Sequence, residues 1–167
     1  MKQTAVAAPT AAFETLLMGP GPSCVPPSVY RAIAQPTIGH LDPRFIAIMD
    51  EIREQLKAVM RTDNKLTMPM SGTGSAGMET CFVNLVEPGD KALVLINGVF
   101  GRRMQDVAQR LGADVDALEF EWGLPVEPAA VKAQLEKADY DLVAVVHAET
   151  STGVVSPVAD IGRLVRE

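Results

Sequence analysis

Residues Lys91 to Phe120 read KALVLINGVFGRRMQDVAQRLGADVDALEF. "KALVLIN" is a short, nearly continuous apolar run, the pattern of a strand buried on both faces. "FGRRMQDVAQRLG" comes next as a helix that Gly112 closes, and "DVDALEF" returns to strand. Parallel strands need a long crossover, most often a helix. The stretch therefore reads as one strand–helix–strand unit.

The alternation continues on both sides. Downstream, "EPAAVKAQLEKA" (127–138) is a helix with proline early, "DLVAVVHAE" (141–149) a continuous apolar strand, and "PVADIGRLVRE" (157–167) a last helix. Upstream, "SAGMETCFVNLVEPG" (75–89) is a helix ended by Pro88-Gly89, preceded by a strand over "KLTMPM" (65–70). Phe45, Ile48, Met49, Ile52, Leu56, Val59 and Met60 recur at helical steps, with Asp42 as N-cap and Pro43 at the first position. "MGPGPSCVPPSVY" (18–30) is too rich in Gly and Pro for regular structure until a short helix opens near Pro26 and Pro27, and "TIGHLDPRF" (37–45) is a second turn.

These elements make an α/β fold of three layers, a mostly parallel sheet flanked by helices. Residues 1–17 are expected to be an N-terminal arm, 18–42 the Gly/Pro-rich loop with its short helix, and 43–167 the α/β domain. The last helix reaches residue 167 without a stop signal, so the sheet is expected to be incomplete.

With 47% hydrophobic and 22% charged residues, the 167-residue chain has the balance of one globular domain. Its net charge of −6 and lack of any Lys/Arg cluster argue against nucleic-acid binding. No run approaches the ~18 apolar residues of a membrane span. Pro9 and Thr10 interrupt the apolar start, against a signal peptide. Cys24 and Cys81 are far apart and form no C-x-x-C pair. Neither a metal site nor a disulfide framework is expected, and a reducing, cytoplasmic compartment is. Cys81, in an apolar helical stretch, reads as a buried, inert thiol.

The chemistry begins at "TMPMSGTGSAGMET" (67–80), where Gly72, Gly74 and Gly77 spell G-x-G-x-x-G. Glycines let a ligand approach the backbone, and the unpaired amides and dipole of a helix start favour an anion. Thr73 and Ser75 add hydroxyls, so a phosphate is the natural guest; a ligand-free tight turn is the plain alternative. A Walker loop fails because no lysine comes after the glycines. A Rossmann site wants an acid about 20 positions on, at the end of the next strand. Asn97 and Gly98 stand there, which argues against NAD.

Just past that strand end stands Phe100, close to a second helix start. Neighbouring parallel strands share a crevice at their carboxyl ends, so Phe100 can lie over a ring whose phosphate sits at 73–75; packing the loop is the plain alternative. The third strand ends in "VVHAETSTGVVSP", crowding His147, Glu149, Thr150, Ser151 and Thr152 together. His147 alone reads as a hydrogen-bonded structural histidine, His40 has weaker claims, and no G-x-S-x-G nucleophile motif is present.

"MGPGPS", "SGTGSAGMETCFVNLVEPGD", "INGVFGRR" and "HAETSTGVVSP", in this order and spacing, resemble the class V aminotransferases, and within them the alanine–glyoxylate and serine–pyruvate (serine–glyoxylate) group. The resemblance runs from about Leu16 onward. It implies a fold-type I enzyme that uses pyridoxal 5′-phosphate. By that likeness Thr73, Gly74 and Ser75 hold the cofactor phosphate, Phe100 stacks on its ring and Thr150 hydrogen-bonds it. Pro20 and Gly21 border the substrate pocket.

The same resemblance implies an aspartate paired with the pyridine nitrogen and a Schiff-base lysine, both downstream of "STG". None of Lys2, Lys57, Lys65, Lys91, Lys132 and Lys137 stands in the matching context, so no catalytic residue is assigned within the chain. The expected function is amino transfer from alanine or serine to glyoxylate or a similar 2-oxo acid. The chain would be an N-terminal portion, inactive alone, of an enzyme that is a homodimer at full length. The alternatives are a non-catalytic α/β domain for a phosphorylated ligand or a partner, and another fold-type I enzyme such as a phosphonate transaminase or a desulfurase-like lyase.

Overall fold

A computed structural model describes residues 15–166. Most of the expected N-terminal arm (1–17) therefore lies outside the described residues. The chain divides into two compact units, Met1–Thr37 and Ile38–Glu167.

In the first unit, helix α1 (Pro27–Ile33) has Pro26 as its N-cap and Pro27 at its first position, where proline's missing N–H costs nothing. The loop before it closes on itself, the Leu17 amide donating to Cys24 Sγ at 3.2 Å. The Gly21–Pro22 peptide is cis.

The second unit holds helices α2 (Pro43–Met60), α3 (Gly74–Leu85), α4 (Val99–Arg110), α5 (Pro128–Leu135) and α6 (Val158–Leu164). Its strands are β1 (Lys91–Ile96), β2 (Asp114–Glu119) and β3 (Leu142–Val145), with a short pair β4 (Ala148–Glu149) and β5 (Val154–Val155). The main sheet has the order β2-β1-β3 and is parallel throughout. β1 is central, and Ala92 to Ile96 are all 0% exposed. Its residues alternate between two cores. Val94 and Ile96 pack with Phe82 of α3 and Met104, Val107 and Ala108 of α4. Leu93 and Leu95 pack with Val126, Val131 of α5 and Ile161 of α6. These are the three expected layers.

Local signals place the helix ends. Asp42 caps α2, its Oδ1 accepting from the Arg44 amide at 2.8 Å. Gly112, at φ +88°, ends α4 in the left-handed region. No α2 residue is buried, and Ile48, Met49, Val59 and Met60 stay exposed.

Two expected strands differ. "KLTMPM" forms no strand: Leu66 is 81% exposed, Met68 and Met70 are exposed too, and Pro69 has no N–H to donate to a ladder. A strand is made by its neighbour, and no described segment pairs with this one. "DLVAVVHAE" is broken at Val146-His147, after which Ala148 and Glu149 turn away to pair antiparallel with Val155 and Val154.

A polar knot fastens the amino ends of the sheet. Tyr140 donates its hydroxyl to Asp116 Oδ2 and accepts from Gln134 Nε2, both at 2.7 Å. Lys91 Nζ lies 3.6 Å from the same carboxylate and 5.6 Å from the centre of the Tyr140 ring. The Tyr140 hydrogen bond, chiefly, holds the Asp116 carboxyl below its usual range. Burial, with Asp116 beside it, pushes the Tyr140 phenol up.

Leu95→Ala should lower the unfolding free energy in urea by about 2–5 kcal/mol, whereas Leu66→Ala should change it by less than about 0.5 kcal/mol. Tyr140→Phe should cost about 1 kcal/mol near neutral pH. Because the folded Asp116 pKa is depressed, that contribution is present above the unfolded value of about 3.9 and fades as acid protonates the folded carboxylate. A Tyr140→Phe deficit that persists undiminished in acid would contradict this assignment.

Candidate functional site

β1 leads through α4 to β2 on one side, while β3 lies on its other side. The connections thus diverge between β1 and β3, and the crevice at their carboxyl ends is where open α/β sheets take ligands. A cavity of about 510 Å³ opens there, within the ~300–1,000 Å³ usual for small-molecule sites. Thr73, Gly74 and Ser75 line it from α3, Phe100 from α4 and Thr150 from the turn after β4. Met78, Met104, Val145 and Val146 make its apolar wall. All five residues proposed for a cofactor therefore share one cavity. Phe100 is 38% exposed, so part of its ring is available to a guest.

The two helix starts at the cavity differ electrostatically. At α3, Thr73 Oγ1 caps by accepting from the Ala76 amide at 3.2 Å, and the Gly77 amide reaches the Thr73 carbonyl at 3.1 Å. The Gly74 and Ser75 amides have no acceptor among the described residues. A Cβ added to Gly74 would meet nothing within 4 Å, so the space beside this helix start is open.

The α4 start is closed by Glu149, which is 0% exposed. Glu149 Oε2 accepts from the Phe100 amide at 3.1 Å and the Gly101 amide at 3.2 Å. Ser151 Oγ accepts from the Val99 amide at 3.0 Å and donates to Glu149 Oε1 at 2.5 Å. The N-cap is Gly98, with no side chain to cap with. A Cβ there would overlap Glu149 Cγ and Cδ and sit 2.8 Å from Ser151 Oγ. An anion entering the cavity thus finds open amides on α3 alone.

Asn97, at the place of a dinucleotide site's acid, is 0% exposed. Its Nδ2 donates to the Leu124 carbonyl at 3.0 Å and Ser156 Oγ at 3.4 Å, while Oδ1 has no partner. It is turned inward and unavailable to a ribose.

Other expected residues stand as follows. Pro20 and Gly21 belong to the first unit and are exposed. His147 is exposed and its imidazole makes no hydrogen bond among the described residues; only its carbonyl is engaged, by the Ser156 amide at 2.7 Å. Cys81 is exposed, not buried: it lines a surface cavity of about 230 Å³ with Leu85, Met104 and β3 residues instead of packing into the core. Glu149 and Ser151 were visible only as members of a polar run. The signal for their capping role is the glycine at the α4 N-cap, which requires a cap from elsewhere in the chain.

Residues 17–167 match the family described as aminotransferase class-V, and the chain belongs to it. It is 39% identical over 150 residues to (S)-ureidoglycine–glyoxylate transaminase of Bacillus subtilis (strain 168), covering 90% of this chain and 36% of that protein. To the alanine–glyoxylate aminotransferase of Mus musculus it is 38% identical over 160 residues, covering 96% and 39%. The crystal structure of an alanine–glyoxylate aminotransferase from Nostoc sp. superposes with a TM-score of 0.88 at 45% identity, over 95% of this chain and 42% of the other. The chain thus spans about 40% of these relatives' length. Among the described residues no helix is long and apolar enough to cross a membrane.

Gly98→Ala should destabilise the chain by about 1–3 kcal/mol in urea unfolding, from forced contact with Glu149. Unchanged stability would contradict the close packing of Gly98 against that side chain.

Proposed function

We propose that the cavity holds pyridoxal 5′-phosphate, and that the full-length protein passes an amino group from alanine or serine to glyoxylate or a similar 2-oxo acid. One observation carries the cofactor assignment: open helix amides, a partly exposed aromatic ring and a free-standing hydroxyl line one cavity at the sheet's switch point. The family and the glyoxylate named for its relatives support the reaction.

The residues fit the group. The Gly74 and Ser75 amides and the Thr73 and Ser75 hydroxyls suit a phosphate at a helix start. Phe100 offers a face for the pyridine ring, and Thr150 a polar contact at its edge. When bound, the cofactor supplies an electron sink for the amino-acid carbon. This chain's residues bind and orient it, and Met78 and Met104 keep water from one wall.

No catalytic residue is assigned within 1–167. The lysine and aspartate of the family's chemistry are assigned to the span of the relatives that this chain does not cover, so the chain alone should bind without transaminating. Pro20 and Gly21 are assigned to the substrate side. Residues 18–42 are assigned as the Gly/Pro-rich substrate-side loop and short helix, and 43–167 as an incomplete cofactor-binding large domain. A homodimer is assigned to the full-length protein, with the uncovered apolar stripe of α2 as available surface, and two free thiols fit a cytoplasmic setting.

Pyridoxine 5′-phosphate has the ring and phosphate but no aldehyde to react with surface lysines, so its calorimetric titration isolates the cavity. Ser75→Asp and Gly74→Asp set a carboxylate at the phosphate position and should weaken its binding at least about tenfold. Affinity that survives either change would overturn the phosphate assignment.

A further inference from the structure

We infer that Glu149 is a positioning residue of the cavity: its buried carboxylate ties the start of α4 to the 149–151 turn and so sets the Phe100 ring against the Thr150 hydroxyl. This rests on the cofactor reading of the cavity.

A carboxylate taken out of water must be hydrogen-bonded to be tolerated. Glu149, 0% exposed, accepts four: the amides of Phe100 and Gly101 on Oε2, and the amide (3.3 Å) and hydroxyl (2.5 Å) of Ser151 on Oε1. No Lys or Arg among the described residues pairs with it. Its counter-charge is the positive end of α4. The two amides on Oε2 are the second and third of that helix, the ones a local Ser, Thr or Asp would ordinarily satisfy from the N-cap. Here the N-cap is Gly98, and the carboxylate occupies the room a side chain would take.

The tie joins two walls of the cavity. One end holds the backbone of Phe100 itself. The other end is the residue directly before Thr150. Both Phe100 and Thr150 line the cavity, so the gap between ring and hydroxyl is set by one carboxylate. The tie is local, because the body of α4 is seated separately by Met104, Val107 and Ala108 against Val94 and Ile96. Loss of Glu149 should therefore loosen the first turn of α4 and leave the α3 phosphate turn as it is.

Two probes separate these walls: pyridoxine 5′-phosphate needs ring and phosphate contacts, and inorganic phosphate needs the α3 turn alone. Glu149→Ala should weaken pyridoxine 5′-phosphate by about tenfold or more without weakening inorganic phosphate by more than about twofold. Glu149→Gln keeps an acceptor of the same shape and should restore affinity to within about threefold. Ser151→Ala, at an exposed position, leaves no buried charge unpaired and should reproduce a smaller loss, about threefold, should the alanine variant at 149 fail to fold. Hydrogen exchange gives a readout free of ligand: the Phe100 and Gly101 amides should exchange at least about tenfold faster in Glu149→Ala, with Leu93 and Leu95 unchanged.

Equal weakening of both probes, or no weakening of either, would overturn the positioning role, as would unaltered exchange at Phe100 and Gly101. A native chain that ignores pyridoxine 5′-phosphate, with exchange at Phe100 and Gly101 still governed by Glu149, would instead overturn the cofactor reading.

Discussion

The whole of the second unit hangs on a strand that meets no water. Ala92 to Ile96 are closed off at both edges by β2 and β3 and on both faces by helices. A strand so enclosed must be apolar at successive positions, and it can stay enclosed only if both faces find cover. That requirement puts α3 and α4 on one side and α5 and α6 on the other. It also fixes where β1 ends, so the chain leaving Ile96 emerges beside the chain leaving β3. The cavity is a by-product of that placement.

At the mouth of the cavity the chain treats two helix starts in opposite ways. The start of α4 receives an internal carboxylate from Glu149, and the start of α3 keeps two amides open. Both carry the same dipole, so without the carboxylate an anion would have two competing seats. Closing one makes the remaining seat specific, and it leaves Phe100 as a wall rather than as part of an anion hole. Gly98 is the sequence cost of that arrangement, since no side chain fits where Glu149 lies.

Much of this was legible because it is local. Strand-to-helix period changes located β1, α4 and β2, Asp42-Pro43 announced the start of α2, and the glycine turn with Phe100 and the 147–152 run pointed to one crevice. The features that stayed hidden depend on partners distant in sequence. "KLTMPM" has strand composition, yet a strand exists only beside another, and none is described there. Cys81 sits among apolar residues, yet burial is decided by what packs over the helix and not by the helix's own letters. His147 lies beside the site without joining it, because the chain turns between Val146 and Ala148. Glu149 looked like one polar residue in a row of five. Its role depends on a helix start nearly 50 residues earlier in the chain, separated from it by 48 positions at Gly101.

Glu149 and Thr150 are consecutive, and they face opposite duties: one is sealed inside, the other stands exposed at the cavity. This separates what must stay constant from what is free to vary. Substitution at 150 alters the chemistry offered to a guest while the scaffold that holds the guest's surroundings is untouched. Substitution at 149 does the reverse. A lineage of such proteins can thus drift in ligand preference through a single solvent-facing position without renegotiating its fold, provided the neighbouring position is left alone.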